Sequence, residues 1–247
     1  MTHTIKVDIW SDVQCPWCYI GKRKFEAGLA RFTSERGADA GPDVVVEYHS
    51  FELAPDTPVD FDGSPVDYLS ERKGLPLAQV EQMLDNVTSI AASVGLDYRY
   101  ESVKQTNTIK AHELLHFAKA HDKQLEMKER LLSAYFVEGR HVGRVDDLVE
   151  LAAEVGLDAT DARTALEAGT FTAAVKADVA VAQGYGITGV PFFVIDGKYG
   201  VSGAQDPQAF AQVLERAVDD AADHAVAVTD GAHTDAAGAA SATDGAR

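Results

Sequence analysis

Cys15 and Cys18 are the only cysteines in the 247-residue chain, and two residues separate them. Two cysteines placed at random in a chain of this length would show that spacing in roughly 0.8% of cases. The spacing puts both sulfurs on one face of a helix, within reach of a disulfide bond. Since a purely structural disulfide around so short a loop is not expected in a reducing compartment, the pair predicts redox chemistry.

The motif Cys-Pro-Trp-Cys suggests a role for each of its residues. Pro16 suits the first position of a helix, so Cys15 would sit at the helix N-terminus, where unpaired N–H groups and the dipole favour a thiolate. We therefore expect Cys15 to be the exposed nucleophile and Cys18, one turn deeper, to be the resolving thiol. Pro16 and Trp17 are candidate substrate contacts, although internal packing would explain the tryptophan equally well.

Two patterns raise the alternative of a metal site. A Cys-x-x-Cys pair can form half of a zinc site, but the chain has no second pair and no histidine at zinc-finger spacing. The segment from His112 to His116 matches the His-Glu-x-x-His pattern of metalloproteases, with Glu113 as the base. His121 misses the spacing of the third ligand by one residue. We expect an amphipathic helix there, and no metal.

The segments around the cysteines predict a β-α-β unit. Residues 5–10 alternate apolar and polar side chains, residues 19–33 have helical periodicity, and residues 44–49 form a β-branched run. Three prolines then mark an extended connection to a long helical block. Helical periodicity recurs there over residues 66–94, 108–120, 127–136, 146–154, 161–167 and 170–183. Asp146 and Asp161 are candidate N-caps, and Gly95 and Gly156 candidate C-caps.

Strand character returns near the end of the chain. Residues 191–195 and 198–203 flank Asp196-Gly197, a strong signal for a two-residue hairpin. Asp206 and Pro207 then suit the N-cap and first position of a final helix. From residue 219 the chain is mostly Ala, Asp, Gly and Thr without an aromatic residue, which predicts disorder.

Together these elements predict an α/β protein with the thioredoxin-like order β-α-β…β-β-α, a mixed central sheet and a large all-α insertion. We expect a discontinuous thioredoxin-like domain over residues 1–55 and 187–218. Residues 56–186 would form the helical insertion domain, and residues 219–247 a disordered acidic tail.

The charge balance restricts the classes of partner. The chain has 22 basic and 39 acidic residues, a net charge of −17, which disfavours binding to nucleic acid or to anionic lipid. No apolar run has the length of a membrane helix, and the first residues lack the apolar core of a signal peptide. We expect a soluble, cytoplasmic protein.

The Cys-Pro-Trp-Cys motif, combined with the later Thr188-Gly189-Val190-Pro191, resembles the DsbA-like branch of the thioredoxin superfamily. The resemblance is nearest to FrnE-type oxidoreductases, which are related to 2-hydroxychromene-2-carboxylate isomerases and kappa-class glutathione transferases. It covers about residues 5–217. Three segments carry it: residues 12–21, residues 51–55, and residues 189–194 together with 202–205.

The resemblance implies that Pro191 is a cis-proline beside the cysteines and that the Val190 backbone pairs with a bound substrate. It implies a thiol-disulfide oxidoreductase or isomerase acting on protein or small-molecule disulfides, without a resident cofactor and with glutathione as an optional co-substrate. The alternative is a glutathione-dependent small-molecule isomerase or transferase on the same fold, although the isomerase branch lacks the second cysteine. A monomer and a homodimer both stay open, as do the substrate and the direction of electron flow.

Overall fold

The computed structural model describes residues 4–36 and 42–234. Along the described chain, four strands and nine helices follow the expected order of a β-α-β unit, a helical insertion and a β-β-α unit. The strands are β1 (Ile5–Ser11), β2 (Val44–Ser50), β3 (Phe192–Ile195) and β4 (Tyr199–Ser202). The helices are α1 (Pro16–Arg36), α2 (Pro65–Lys73), α3 (Leu77–Ser93), α4 (Ile109–Lys119), α5 (Gln124–Phe136), α6 (Val145–Glu154), α7 (Ala159–Ala168), α8 (Thr172–Gly184) and α9 (Pro207–Thr234).

The four strands form one mixed sheet in the order β2-β1-β3-β4. β1 pairs with β2 in parallel, and β3 pairs antiparallel with both β1 and β4. The parallel pair is joined by α1 and the antiparallel pair by a short turn, as connection length requires. The predicted thioredoxin-like α/β fold with a mixed sheet is confirmed.

One side of the sheet is covered by α1 and α9, which pack closely against each other. Phe193 of β3 meets Phe210 of α9 with ring centroids 4.7 Å apart, and Phe25 of α1 completes the aromatic cluster. Gly28 permits the contact between the helices, because a Cβ atom there would lie 2.6 Å from the carbonyl oxygen of Pro207. This packing fixes α1, and with it the cysteines at its start.

The helical insertion has a separate and larger apolar core, centred on α4 and α5. The segment of helical periodicity predicted over residues 66–94 forms two helices, α2 and α3, and the break between them was not predicted. Gly74 ends α2 in a left-handed conformation with φ 65°, and Pro76 precedes α3. Both features break a continuous helix.

Two of the predicted N-caps are also wrong. Asp158 caps α7 by accepting the N–H groups of Thr160 and Asp161, each at 2.9 Å, so Asp161 is inside the helix. Asp146 lies in the first turn of α6, after Arg144 in the cap position. An acidic residue stabilises a first turn through the helix dipole as well, so composition alone does not separate the two positions.

The C-terminal elements follow the sequence pattern up to residue 218. Asp196 and Gly197 both have positive φ, and the N–H of Lys198 donates to Ile195 at 3.1 Å, so the predicted turn is present. The two-residue length is wrong, because Ile195 pairs with Tyr199 and Lys198 belongs to the connection. α9 continues to Thr234, where the sequence predicted disorder from residue 219. The alanine-rich composition has high helix propensity even though it offers little to bury. Residues 235–247 of the predicted tail lie outside the described residues.

The division into two domains at residues 55 and 187 stays a prediction. Within the described ranges, no helix combines the length and apolar character needed to cross a bilayer.

Candidate active site

Cys15 and Cys18 lie at the junction of β1 and α1. The N–H of Cys15 donates to the carbonyl of Asp12 at 3.3 Å, and the N–H of Cys18 donates to the carbonyl of Cys15 at 3.0 Å. Pro16 is the first residue of α1, as its missing N–H predicts. The first helical turn therefore brings the two thiols together, and both are free.

The two cysteines differ in what they face. Cys15 is only 3% exposed, so the expectation of an exposed thiol is wrong. Its S–H donates to the carbonyl oxygen of Val190 at 3.4 Å, and its side chain forms part of the wall of a large cavity. Cys18 is equally buried but does not line that cavity. A substrate that enters the cavity thus meets Cys15.

The protonation pattern also differs from the expectation that the helix N-terminus lowers the pKa of Cys15. The hydrogen bond with Cys18 and then burial raise the pKa of Cys15 well above its usual value. Burial opposes ionisation of Cys18, but the Cys15 thiol, the charge of Lys128 and the Ser11 hydroxyl outweigh it and lower the pKa of Cys18. The surroundings of the buried pair therefore oppose ionisation of Cys15 while it contacts Cys18.

The loop before β3 packs against the cysteine turn. The peptide bond between Val190 and Pro191 is cis, and the Pro191 carbonyl accepts the N–H of Gly203 at 2.8 Å. A Cβ atom on Gly21 of α1 would lie 2.9 Å from the Pro191 ring. Glycine at position 21 therefore lets the loop approach α1, with the Val190 carbonyl directed at Cys15.

Asp12, which sequence reasoning placed only in the family-like segment, is completely buried. Its carboxylate accepts five hydrogen bonds, from the Gln14 N–H (3.3 Å) and Nε2 (3.1 Å), the Leu53 N–H (2.8 Å), Thr108 Oγ1 (2.8 Å) and His112 Nε2 (3.3 Å). Burial alone would raise the pKa of Asp12, but His112 and these donors lower it. The carboxylate therefore ties the cysteine loop to α4.

The two histidines of the His-Glu-x-x-His pattern face different carboxylates. His112 Nε2 bonds to Asp12, whereas His116 Nε2 lies 3.0 Å from Asp178 of α8. Glu113 accepts hydrogen bonds from Lys110 and Thr172. This arrangement supports a structural role for the helix, in line with the amphipathic interpretation.

One set of side chains in the described part of the chain has metal-ligand geometry. Ligand atoms of Asp8, Glu47 and His49 lie within 4.8 Å of one another. Lys6 forms ion pairs with both carboxylates, and Lys119 forms one with Glu47. Since lysines already balance these charges, the set is explained without a cation.

The cavity beside Cys15 has a volume of about 730 Å³ and lies between the cysteine turn and the helical insertion. Its wall is mainly apolar and aromatic. The insertion contributes Tyr68, Met83, Leu84, Val87, Tyr100 and Phe136. Pro16, Trp17 and Val190 line the opposite side, so the structure brings these candidate substrate contacts together with Cys15.

The charged residues of this wall are both basic. Arg72 and Lys73 lie near the end of α2, and Arg72 is paired with Asp56 at 2.9 Å. Polar contacts come from Gln14 and Gln105, whose side chains are hydrogen-bonded to each other at 2.9 Å. A ligand of this cavity would be held chiefly by apolar contact, with its reacting sulfur at Cys15.

A mixed sheet with paired cysteines at the start of a helix, and a proline loop packed against them, defines a member of the thioredoxin superfamily. Residues 6–215 match the family model of the DSBA-like thioredoxin domain, so the chain belongs to the DsbA-like thioredoxin family.

Among similar proteins, the crystal structure of a probable DsbA oxidoreductase from Streptomyces coelicolor is 38% identical, with a TM-score of 0.78 over 86% of this chain and 89% of that chain. The uncharacterised YwbO of Bacillus subtilis is 31% identical over 88% of this chain and 97% of its own. The cytosolic disulfide reductase DsbM of Pseudomonas aeruginosa, solved with GSH, shares the fold at 19% identity and a TM-score of 0.59, over 87% of this chain and 99% of its own.

Proposed function

We propose that the protein is a thiol-disulfide oxidoreductase in which Cys15 exchanges with substrate and Cys18 resolves the intermediate. One observation carries the proposal: the Cys15 side chain lies on the cavity wall while it contacts Cys18 within the first turn of α1. Family membership supports the oxidoreductase class.

The chemistry needs two exchanges when substrate disulfide is reduced. Cys15 loses its proton and its thiolate attacks one sulfur of the substrate disulfide. The attacked sulfur becomes bonded to Cys15, while the other substrate sulfur leaves as a thiolate and takes up a proton. Cys18 then loses its proton and attacks Cys15, which forms the Cys15–Cys18 bond and releases the second substrate thiolate. Two electrons move from the cysteine pair to the substrate, and the reverse sequence oxidises a dithiol.

Substitution of each cysteine by serine is expected to have a different effect. Cys15→Ser abolishes exchange, because no thiol remains on the cavity wall. Cys18→Ser retains attack by Cys15 and accumulates a mixed disulfide, because the resolving thiol is missing. Mass spectrometry of each variant after incubation with a disulfide substrate, with Cys15→Ser as the blank, measures the adduct. Equal loss of activity in both variants without an adduct contradicts these roles.

The volume of the cavity, about 730 Å³, favours small-molecule disulfides or short peptides over a folded protein chain. Glutathione would serve such an enzyme as a co-substrate. The second candidate function is that of a glutathione-dependent small-molecule isomerase or transferase. Turnover by Cys18→Ser separates the two functions, because isomerisation needs no resolving thiol. An isomerase retains its rate in that variant, whereas an oxidoreductase loses multiple turnover.

The remaining features of the proposal come from the sequence. We infer a cytoplasmic location, which the similarity to the cytosolic DsbM supports, a partner that carries a thiol or disulfide rather than nucleic acid or membrane, and a monomer or homodimer. Cell fractionation and light scattering of the purified protein test the location and the assembly.

A further inference from the structure

Tyr98, in the segment between α3 and α4, connects the helical insertion to the first turn of α1. Its hydroxyl donates a hydrogen bond to the carbonyl oxygen of Pro16 at 2.7 Å. Pro16 follows Cys15 directly and is the first residue of α1. Tyr98 therefore contacts the backbone of the cysteine turn itself, although it lies 82 residues further along the chain than Pro16.

The Tyr98 ring is held between aromatic neighbours. It stacks on Phe136 of α5 with ring centroids 4.6 Å apart, and Tyr100 meets it in a T-shaped contact at 5.9 Å. Tyr19 of α1 stacks on it from the other helix at 6.2 Å. Since the side chain is also buried and aromatic contacts of this kind have preferred geometries, packing directs the hydroxyl to α1.

The backbone and the protonation of Tyr98 support this role as a donor. At the end of α5, the carbonyl of Phe136 accepts the N–H of Arg99 at 2.8 Å, which anchors the segment next to Tyr98. Burial raises the pKa of Tyr98, so the hydroxyl keeps the proton that it donates. Tyr98 is thus a fixed donor to the cysteine turn.

The neighbours of Tyr98 also form part of the cavity wall. Phe136 and Tyr100 line the cavity together with Cys15, whereas Tyr98 lies behind them and is not part of the wall. A ligand in the cavity therefore contacts the residues that hold Tyr98, and not Tyr98 itself.

The hydrogen bond fixes a peptide group beside the reactive sulfur. In a planar trans peptide the C=O and N–H groups point in opposite directions, so a donor that holds the Pro16 carbonyl also orients the Trp17 N–H. The N–H groups of a first helical turn point to the N-terminal end, where Cys15 lies. Pro16 has no N–H, and the N–H of Cys18 is bonded to the Cys15 carbonyl. Within the described chain the Trp17 N–H has no acceptor, so it is available to negative charge at Cys15.

We propose that Tyr98 is a positioning residue for disulfide exchange, whose hydroxyl holds the peptide group between Pro16 and Trp17 in the orientation in which the Cys15 thiolate reacts. This role rests on the proposed function of Cys15 as the exchanging thiol. Tyr98 acts through the backbone of α1. A hydrogen bond to the carbonyl also polarises the peptide group, which strengthens its N–H as a donor.

The test measures the reactivity of Cys15 alone. In Cys18→Ser, Cys15 is the only thiol, and the rate of its alkylation by iodoacetamide follows the formation of its thiolate against pH. Adding Tyr98→Phe keeps the ring and removes the hydroxyl. We expect alkylation at neutral pH to slow by about fivefold, the effect of one lost hydrogen bond, and the midpoint of the pH profile to rise.

Tyr19→Phe, added to the same Cys18→Ser protein, is the matched control. It removes a hydroxyl from the ring stacked on Tyr98, and that hydroxyl is also hydrogen-bonded, to Glu129 at 2.5 Å. The control therefore loses a comparable contact without changing the bond to Pro16, and its alkylation rate should stay within about twofold of the parent rate. Thermal melting verifies that both variants are folded. An unchanged rate in Tyr98→Phe, or equal slowing in the two variants, overturns the proposal.

The consequence for exchange is measured in the protein with both cysteines. With bis(2-hydroxyethyl) disulfide as substrate, Tyr98→Phe should lower kcat by about fivefold and leave KM within about twofold of the parent value, because Tyr98 is not part of the cavity wall. A rise in KM with an unchanged kcat would show that Tyr98 affects only the shape of the wall, and it overturns the proposal.

The two proposals fail separately, because alkylation of Cys15 requires no turnover. If the parent exchanges no disulfide but alkylation still depends on the Tyr98 hydroxyl, the proposed function fails while the control of the cysteine turn by Tyr98 stands. If the parent exchanges disulfides and Tyr98→Phe equals it in both assays, the positioning role fails while the proposed function stands.

Discussion

Cys15 and Cys18 are three residues apart at the start of α1, and His112 and His116 are four residues apart within α4. Both spacings place two reactive side chains on one helical face. In the first pair the side chains are partners of each other, and one of them reaches a cavity. In the second pair each histidine turns to a different carboxylate. Shared spacing is therefore insufficient for a site, because the partners from elsewhere in the chain decide what a pair does.

The two regions meet at Asp12, which binds His112 on one side and precedes the cysteines on the other. Asp12→Ala removes the acceptor of five buried hydrogen bonds and leaves their donors unpaired, which is expected to cost about 3–5 kcal/mol of unfolding free energy. Urea denaturation measures this loss. Asp97→Ala, at an exposed aspartate, is the control and should change stability by less than about 1 kcal/mol. A comparable effect of both substitutions would contradict the link between the regions.

The histidine region is expected to contribute stability in a pH-dependent way through Asp178. The carboxylate accepts the Ser50 N–H at 2.8 Å and contacts His49 and His116 at 3.0 Å. Although burial opposes ionisation, these partners lower the pKa of Asp178, so its stabilisation is complete above the unfolded pKa near 4 and is lost as the pH falls below it. Asp178→Asn should cost about 2 kcal/mol at pH 7 and flatten the acid limb of the stability curve.

That prediction also tests the functional difference between the regions. At a pH where Asp178→Asn remains folded, its rate of disulfide exchange should stay within about twofold of the parent rate, since Asp178 lines no part of the cavity. A large loss of exchange in the folded variant would show that the histidine region takes part in the chemistry.

Within the cysteine region, Gly21→Ala tests the contact between α1 and the Pro191 loop. A methyl group there would overlap the Pro191 ring, so the loop must shift, at a cost of about 1–3 kcal/mol. We expect slower exchange as well, because the Val190 carbonyl moves away from Cys15. Gly189→Ala is the matched control in the same loop, where no atom lies within 4 Å of the added carbon. Thermal melting and the rate of disulfide exchange are measured for both variants. Equal behaviour of the two variants would contradict the contact.

The smallest effect is expected at His49. Burial opposes its charge, but Asp178 and Asp8 raise the pKa of His49 above its unfolded value near 6.5. Its contribution is therefore complete below about pH 6.5 and is lost as the pH rises through the folded pKa. In denaturant titrations, the free energy of unfolding of the parent should decline by less than about 1 kcal/mol above neutral pH. His49→Gln should abolish this decline. A decline that persists unchanged would assign it to other groups.

Much of the fold follows from local patterns. The alternation in β1, the turn at Asp196-Gly197 and the start of α9 at Pro207 were readable because a few adjacent residues determine each backbone geometry. The boundaries of α2 and α3 were missed although Gly74 and Pro76 mark them, because the apolar period continues across the break. The apolar period favoured a continuous helix there, whereas Gly74 and Pro76 disfavour a helical backbone. The backbone preference of these two residues decided the structure.

The candidate site also combines features that the local sequence predicts with features that depend on packing. The spacing of Cys15 and Cys18 predicted redox chemistry, but it led to the wrong expectation that Cys15 is exposed. Lys128, a buried lysine that lowers the pKa of Cys18, comes from more than a hundred residues away, and in the sequence it is one more lysine on an amphipathic helix. Only its place among the core positions of α5, four residues after Gln124 and three before Leu131, hints that it faces inward.

By itself, the sequence determined the element order, the paired thiols and the thioredoxin-like class, because these depend on residues close together along the chain. The tertiary structure decided which thiol lines the cavity, what each histidine binds and how near the Pro191 loop comes to α1. Those outcomes depend on burial and on distances between segments that are far apart along the chain, by 62 residues in the case of His116 and Asp178 and by more in the others. Burial strengthens electrostatic interactions and makes unpaired polar groups costly, so the packed neighbours fix the protonation of the site.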